Sequence, residues 1–278
     1  MNYKLFIIVP VVMLLASVGL LANSYIQTGE WFERSIDLKG GTLLTIKLTD
    51  SVDIPELTSF LSASYGDVYI RELSGISGST LLINTEADVD SDALLADVSD
   101  FGVNVLDTTV HQIGSSLGEA FWAQAQIAII IALVFMAVIV FFIFRTFVPS
   151  MAVISAVVFD LIITLAVMQV FGIQLSLASL AALLMIIGYS VDTDILLTTR
   201  LLKGTGEIKE RINKTLKTSL TMSFTSIGAL AVLTIFNITQ ILTQISMVLL
   251  IGLLIDIVIT WLMNASVLRW YMERKGLA

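Results

Sequence analysis

Two carboxylates, Asp192 and Asp194, lie in the segment GYSVDTDILLTTR, which spans residues 188–200. The preceding residues, LASLAALLMII, include no charged side chain, so the pair ends a hydrophobic run long enough to cross a lipid bilayer. Ionisable side chains at such a depth are costly and commonly belong to ion or proton pathways. We therefore predict that Asp192 and Asp194 take part in ion coupling.

The spacing of these two aspartates predicts different surroundings for each. Residues two apart on a helix point about 200° apart, so Gly188 and Asp192 share one face while Ser190 and Asp194 share another. We expect one aspartate to face the helix bundle and the other to face a neighbouring subunit or an aqueous cleft. Candidate hydrogen-bond partners in the next apolar segment are Thr218, Thr221, Ser223, Thr225 and Ser226.

Two further aspartates, Asp160 and Asp256, also lie inside apolar segments. At 1.5 Å per residue, they lie about 15 Å and about 18–20 Å inside their segments. An aspartate exposed to lipid at that depth costs roughly 2.5–3.5 kcal/mol, so both must face the bundle interior or water. Asp160 is an ion-coupling candidate and Asp256 a secondary one, and for each the alternative is a protonated, hydrogen-bonded pin between helices.

Lys217 is the basic candidate for interaction with these acids. Asp194 lies about 9 Å along its helix from Arg200 at the membrane edge, and the lysine stem of about 6 Å can carry an ammonium group inward. We predict an Asp194–Lys217 ion pair that proton uptake would break. The alternative is that Lys217 only continues the basic series of residues 209–217 and anchors the chain at the membrane surface.

The composition of the chain indicates an integral membrane protein. Hydrophobic residues make up 56% of the 278 residues and charged residues only 14%, whereas charged residues are about a quarter of an ordinary soluble domain. The first apolar window is longer than the core of a usual signal peptide, so we expect it to remain as an anchor. Apolar windows long enough to span a bilayer lie at about Leu5–Ala22, Trp122–Phe144, Ser150–Phe171, Leu175–Thr199, Thr218–Phe236 and Thr243–Leu268.

We therefore predict a polytopic α-helical membrane protein with six transmembrane helices and a small extracytoplasmic α+β domain. Residues 24–120 contain four of the fifteen Lys and Arg residues but sixteen acidic ones, a net charge of −12. The positive-inside rule then places both termini in the cytoplasm and residues 24–120 outside the cell membrane. The predicted division is a first helix at 1–23, an outer domain at 24–120, and a five-helix bundle at 121–278 with a cytoplasmic loop at 200–217.

The outer domain shows alternating strand and helix signals. Asp53, followed by Glu56 three residues later, predicts a capped helix that ends at Gly66, and DSDALLADVSDFG predicts a second capped helix. Strands precede, separate and follow these helices, with a turn at Gly75 and Gly78 between the middle two. The resulting order, βαββαβ, is the ferredoxin-like split arrangement.

Asp37, Gly40 and Gly41 lie between the first span and the first predicted strand. Adjacent glycines suggest backbone conformations or close contacts that a side chain would block. We predict a hinge between the outer domain and the membrane at this point, and the alternative is an ordinary turn at the start of a strand.

Four segments carry a resemblance that extends in order over nearly the whole chain. They resemble the SecF family of membrane subunits that assist Sec protein export, within the resistance-nodulation-division superfamily. The specific motifs are Asp-x-x-Gly-Gly at residues 37–41 and the run Gly188, Tyr189 and Ser190. The segments are SIDLKGGTLLTI (35–46), HQIGSSLGEAFWAQAQIAIIIALVFMAVIVFFIFR (111–145), VFDLIITLAVMQVFGIQLSLASLAALLMIIGYSVDTDILLTTR (158–200) and INKTLKTSLTMSFTSIGALAVL (212–233).

The resemblance implies an accessory subunit of the Sec translocase, coupled to an ion gradient or a conformational cycle. It implies a SecD partner in a heterodimer or larger complex, a SecYE channel nearby, a translocating preprotein as client and membrane lipid as surroundings. Bacterial members read Gly-Tyr-Ser-x-Asn-Asp-Thr, whereas here Thr193 occupies the key aspartate position. Thr218 stands where those members have an arginine, with Lys217 one residue before. These substitutions resemble an archaeal-type member.

Two other function classes remain as alternatives. A small-molecule or lipid exporter of the same superfamily usually has larger outer domains and both halves in one chain. An intramembrane aspartyl protease uses two buried aspartates but needs them on separate spans, one in a Gly-x-Gly-Asp motif, which this sequence lacks. We expect no enzyme activity, cofactor, metal or nucleic acid, because the chain has no cysteine, a lone His111 and no Gly-x-x-x-x-Gly-Lys loop.

Overall fold

A computed structural model of the protein describes residues 6–48, 52–66, 68–75, 78–85, 89–101, 105–204 and 207–275. Its elements are α1 (Ile8–Thr28), α2 (Ile36–Lys39), β1 (Gly41–Leu48), α3 (Ile54–Tyr65), β2 (Tyr69–Gly75), β3 (Gly78–Thr85), α4 (Ser91–Asp100), β4 (Val105–Ile113), α5 (Ser115–Phe144), α6 (Phe147–Val170), α7 (Leu177–Lys203), α8 (Ile208–Phe236), α9 (Gln240–Ile259), a π-helical turn (Thr260–Asn264) and α10 (Ala265–Arg274).

Six helical segments within the described residues are long and apolar enough to cross a membrane, as predicted. They are α1, α5, α6, α7, α8 and the continuous segment from α9 to α10. Several helices extend past the apolar windows: α1 continues to Thr28 and α5 begins at Ser115. Most of the predicted loop 200–217 is also helical, because α8 begins at Ile208 and an exposed ion pair between Glu210 and Lys214 (2.7 Å) supports its first turns.

The centre of the helix bundle is formed by α6, α7 and the sixth span. More than half of the α6 window is buried, against about a tenth of the α8 window. Gly252 of α9 allows a close approach to α7, because a Cβ atom there would overlap the side chain of Ile186. Apolar residues of α1, α5 and α8 lie on the surface of the chain, which is expected of helices that contact lipid or another subunit.

The outer domain has the predicted βαββαβ order. Its four strands form an antiparallel sheet with strand order β2-β3-β1-β4, which is the ferredoxin-like arrangement. The helices α3 and α4 cover one face of the sheet through an apolar core that includes Leu44, Leu57 and Leu94. The Asp53 side chain caps α3 by accepting a hydrogen bond from the Glu56 N–H group (3.2 Å). Residues 76 and 77, at the predicted Gly75/Gly78 turn, lie outside the described residues.

The uncovered face of the sheet lies over the ends of the membrane helices. The Tyr69 hydroxyl donates to the Gly172 carbonyl (2.6 Å), and Asn84 Nδ2 donates to Gln174 Oε1 (2.7 Å). The segment after α1 also pairs with Leu175, whose N–H group donates to the Glu33 carbonyl (2.8 Å). These bonds attach the domain to the connection between α6 and α7.

Candidate functional site

Three aspartates from three different spans come together at the centre of the bundle. Asp160 is on α6, Asp194 on α7 and Asp256 on α9, and each is at most 1% exposed. Each lies at least about 13 Å along its membrane span from the nearer end, with the sixth span taken as the continuous segment from α9 to α10, so the cluster is deep inside the membrane-spanning part. We call Asp160, Asp194 and Asp256 the acid cluster.

Short hydrogen bonds connect the acid cluster to neighbouring polar side chains. Ser190 Oγ donates to Asp160 Oδ2 (2.6 Å), and Asn264 Nδ2 donates to Asp194 Oδ1 (2.6 Å). The Thr260 hydroxyl lies within hydrogen-bond distance of both Asp194 and Asp256. A hydroxyl has a single proton, so Thr260 donates to only one of these two carboxylates at a time.

The sixth span has a local structure that suits this arrangement. Asp256, Thr260 and Asn264 follow one another at intervals of four residues, so they lie on one face of the helix, and all three are buried. The helix changes to a π-helical turn at Thr260–Asn264. Such single turns within α-helices are frequent at functional sites. Sequence reasoning missed Thr260 and Asn264, although three polar residues at this spacing in an apolar span were a usable signal.

Each carboxylate of the acid cluster has one buried oxygen to which no N–H or hydroxyl group of the described residues donates. These atoms are Asp160 Oδ1, Asp194 Oδ2 and Asp256 Oδ2. No three His, Cys, Asp or Glu side chains in the described ranges are arranged so that they could hold a metal ion. The acid cluster therefore has spare oxygens that can accept protons, in an arrangement connected by hydroxyl and amide groups.

Asp192 and Asp194 lie in different surroundings in the structure. Ser190 and Asp194 are buried, whereas Gly188 and Asp192 are exposed on the opposite face of α7. This separation agrees with the faces expected from the helical period. Tyr189, also on the outer side of α7, is 43% exposed. Asp192 therefore lies outside the acid cluster, on a surface that the chain itself leaves uncovered.

The predicted ion pair between Asp194 and Lys217 is not formed. Lys217 is exposed, and among the described residues the hydrogen bonds to Asp194 come from Thr260 and Asn264 of the sixth span. The reason is geometric: the sixth span lies against α7 at Asp194, while Thr218, the neighbour of Lys217, bonds to Arg200, six residues further toward the end of α7.

Hydroxyl groups of α8 that were candidate partners for Asp192 and Asp194 bond to other groups. Arg200 Nη1 donates to Thr218 Oγ1 (3.1 Å), which joins α7 to α8. Thr221 and Thr225 donate to carbonyl groups of their own helix. Among the described residues Asp194 therefore receives its hydrogen bonds from the sixth span and not from the candidate hydroxyl groups of α8.

Asp37, Gly40 and Gly41 form a closely packed joint. Asp37 Oδ2 accepts a hydrogen bond from the Leu177 N–H group at the start of α7 (3.3 Å). Gly40 has φ +83°, and a Cβ atom there would lie 2.5 Å from the Ser115 Cα atom. Gly41 has φ +139°, and its Cβ atom would lie 2.6 Å from a backbone oxygen of the sheet. Both positions thus require glycine, and a hinge motion about them stays a prediction.

The fold and the site together define a multi-pass membrane protein with titratable groups at the centre of its helix bundle. A family model described as "Protein export membrane protein SecD/SecF, C-terminal" matches residues 94–274. The chain belongs to the SecD/SecF family of protein-export membrane proteins. This is a transport family rather than an enzyme family. Membership in it replaces the two alternative function classes, a small-molecule exporter and an aspartyl protease.

Similar proteins cover nearly the full length of the chain. The protein-export membrane protein SecF of Methanolacinia petrolearia is 39% identical over 98% of this chain and 95% of its own. SecF of Pyrococcus furiosus is 39% identical over 99% of this chain and 93% of its own. The crystal structure of SecDF, a translocon-associated membrane protein from Thermus thermophilus, has the same fold (TM-score 0.79, 19% identity). This chain aligns over 98% of its own length and spans 38% of that longer chain.

Proposed function

We propose that the acid cluster couples proton movement across the membrane to protein export, the process in which the SecD/SecF family assists the Sec translocase. The observation that carries this proposal is the meeting of Asp160, Asp194 and Asp256 in one buried site, where each carboxylate has an oxygen to which no N–H or hydroxyl group of the described residues donates. Three carboxylates so placed cannot all be ionised together, because burial and mutual repulsion oppose it. We therefore propose that protons bind to the acid cluster and leave it again during transport.

A structural pin explains this arrangement less well. A pin between two helices needs one carboxylic acid with matched partners, as in the pair of Asp160 with Ser190. The acid cluster has three, and the bridging Thr260 hydroxyl connects two of them by alternative hydrogen bonds. Proton transfer along such a chain requires only small rotations of side chains, which suits a relay between the two sides of the bundle.

The exposed face of α7 is the contact surface that we assign to the SecD partner. An aspartate facing lipid near the middle of the bilayer costs roughly 2.5–3.5 kcal/mol, so Asp192 requires a polar group opposite it. Gly188 is exposed next to Asp192 and has nothing within 4 Å of its Cβ direction, which lets another helix approach closely. A SecD helix with a hydroxyl, amide or basic side chain fits this surface. A SecYE channel and a translocating preprotein complete the proposed assembly.

The charge distribution supports the orientation of the assembly. In the sequence, the eleven basic residues outside 24–120 are found near the two termini or in the segments that follow the second and fourth apolar windows. Six alternating spans would put these segments on one side, which the positive-inside rule assigns to the cytoplasm. The acidic outer domain is then extracytoplasmic, where exported polypeptide emerges.

A vesicle experiment tests the coupling. Vesicles containing this chain, SecD and SecYE are loaded with a pH-sensitive dye, and proton flux is measured before and after a preprotein is added. We expect preprotein-dependent flux that falls about tenfold or more in Asp194→Asn, as for loss of a step in a proton pathway. Glu210→Gln, which changes an exposed acid of α8, is the matched control and should match the unaltered chain. Unchanged flux in Asp194→Asn would contradict the proposal.

A further inference from the structure

A cleft lies between the uncovered face of the sheet and the ends of the membrane helices. Its volume is about 470 Å³. One wall consists of side chains of β1, β2, β3 and β4, and the other of the first turns of α7 and α9. Apolar side chains that line it are Leu43, Leu82, Ile113, Leu177, Ile241 and Met247. Leu177 and Ile241 are 42% and 65% exposed, so the cleft opens toward the side of the bundle at the level where the spans end.

Arg71 is a charged side chain of this cleft that finds no hydrogen-bond or ion-pair partner among the described residues. It is partly buried, and it makes no hydrogen bond or ion pair within the part of the chain that the structure describes. The other basic side chains of the sheet region are different: Arg34 pairs with Glu30, and Lys47 pairs with Asp107 (3.6 Å). Burial lowers the pKa of the Arg71 guanidinium, and the nearby Tyr69 partly opposes this effect. A cation that the described residues leave unpaired is thus kept partly buried in a cleft of an acidic domain, at a cost in stability.

We propose that this cleft binds the phosphate headgroup of a membrane lipid, with the Arg71 guanidinium on the phosphate and the lipid chains along the apolar wall. The planar fork of arginine matches phosphate oxygens by two parallel hydrogen bonds. A second donor is available at Gln240. The Thr45 hydroxyl donates to Gln240 Oε1 (3.2 Å), which leaves the amide nitrogen to donate elsewhere.

The position of the cleft favours a lipid over a soluble anion. Its lower wall is built from the first turns of two membrane spans, and its mouth is formed by the exposed side chains of Leu177 and Ile241. Phosphate headgroups lie at this level of a membrane, just outside the hydrocarbon region. Asp37, the acid in the lining, already accepts the Leu177 N–H group, so it takes part in the helix start rather than in neutralising Arg71.

The geometry is less suitable for a polypeptide. Peptides that bind to a sheet commonly pair with the backbone of an edge strand, whereas this cleft is walled by the face of the sheet. Tyr69, Arg71 and Leu73 alternate along β2 with residues that point to the other face. The wall therefore offers side chains but few backbone groups, which suits a ligand with one concentrated charge and an apolar body.

Binding to the purified complex of this chain with SecD tests the proposal. Dioctanoyl phosphatidylglycerol is added in detergent, and bound lipid is counted by native mass spectrometry. Dioctanoylglycerol has the same chains without phosphate, and inorganic phosphate has the anion without chains. We expect saturable binding of one phosphatidylglycerol per chain in this cleft, weakened about tenfold or more by Arg71→Gln through loss of charge-assisted hydrogen bonds. Lys47→Gln, which removes a cation of the same sheet face, should change the affinity less than about twofold.

Two measurements keep a folding defect apart from a binding defect. Because the described residues give Arg71 no hydrogen bond or ion pair to lose, Arg71→Gln should have a thermal midpoint in lipid-free detergent at least equal to that of the unaltered chain. Ala178→Leu fills the cleft from the α7 side and should also reduce lipid binding. Equal affinity in Arg71→Gln and the unaltered chain would overturn the proposal. So would equally tight binding of inorganic phosphate, or displacement of the lipid by an unfolded soluble polypeptide, which would mark a polypeptide site.

Discussion

Thr260 Oγ1 lies 2.9 Å from Asp194 Oδ1, and the same hydroxyl lies 3.2 Å from Asp256 Oδ1. A proton on this hydroxyl faces two acceptors on different helices and bonds to one at a time. The rotation of one threonine side chain therefore changes which carboxylate receives the bond, without any displacement of the backbone. This places the sixth span, rather than α8, at the centre of the proposed relay.

Removal of that hydroxyl should reduce coupled transport. We expect Thr260→Val, which keeps the shape of the side chain, to lower preprotein-dependent proton flux about tenfold, because a hydrogen bond to a charged group contributes about 1.5–3 kcal/mol. Thr260→Ser keeps the hydroxyl and should retain most of the flux. The measurement is dye-reported flux in vesicles that contain equal amounts of the assembled complex. Full flux in the valine variant would show that Thr260 is only a packing residue.

Lys217 should be dispensable for coupling. Its side chain is exposed, and Asp194 has its partners on the sixth span. We expect Lys217→Gln to support export and proton flux within about twofold of the unaltered chain, as for an exposed charge. Asp194→Asn, measured in the same preparation, supplies the comparison. A loss in Lys217→Gln as large as that in Asp194→Asn would require the two residues to meet in another conformation.

The joint between α2 and α5 should tolerate no added methyl group. A Cβ atom at Gly118 would overlap the backbone of Lys39 and Gly40, whereas Gly228 of α8 has nothing within 4 Å. We expect Gly118→Ala to lower the thermal midpoint of the purified chain, with a cost of about 1–3 kcal/mol for overpacking. Gly228→Ala should be neutral or stabilising, because alanine favours helix more than glycine does. Similar midpoints for the two variants would show that the joint is loosely packed.

Tyr65 should titrate abnormally in the outer domain. Its hydroxyl donates to Asp97 Oδ2 (2.6 Å), and this bond, followed by burial, raises the pKa of Tyr65 from 10.0 to about 12. A raised pKa in the folded state means that the contribution to stability is fully present below pH 10 and is lost as the pH rises through about 12. The difference in ultraviolet absorbance between the full chain and its Tyr65→Phe variant reports this titration. Asp97→Asn should bring the titration back toward 10, and a titration near 10 in the unaltered chain would contradict the bond.

The proposed orientation can be read from single introduced cysteines, because the chain has none of its own. We expect an impermeant thiol reagent to label a cysteine at Asp90 on intact cells and to leave one at Lys209 unlabelled until the membrane is opened. The reverse pattern would place the outer domain in the cytoplasm and the positive-inside argument would fail.

The periodic features of this protein were readable from sequence, and the pairing of helices was not. Apolar windows predicted six spans, and alternating strand and helix signals predicted the βαββαβ domain. The 200° separation of Asp192 and Asp194 predicted that they would face different surroundings. No local pattern states which neighbouring helix supplies a partner, because hydroxyl groups on α8 and on the sixth span are chemically equivalent. In the structure, Gly252 packs closely against Ile186. This tertiary contact brings the sixth span next to α7, so that the sixth span supplies the partners of Asp194.

The helix α7 runs without interruption from the outer domain to the acid cluster. The outer domain holds the start of α7: Asp37 accepts a hydrogen bond from the Leu177 N–H group, and Asn84 donates to Gln174, three residues before the helix. Asp194 lies about 26 Å further along the helix axis from Leu177. A regular helix transmits a twist or a shift along its length instead of absorbing it. We expect a rotation of the outer domain to shift the start of α7 through these bonds, and so to move Asp194 relative to Thr260, unless the bonds break. A force that a translocating polypeptide applies to the outer domain would then be coupled, through the position of α7, to the number of protons bound in the acid cluster.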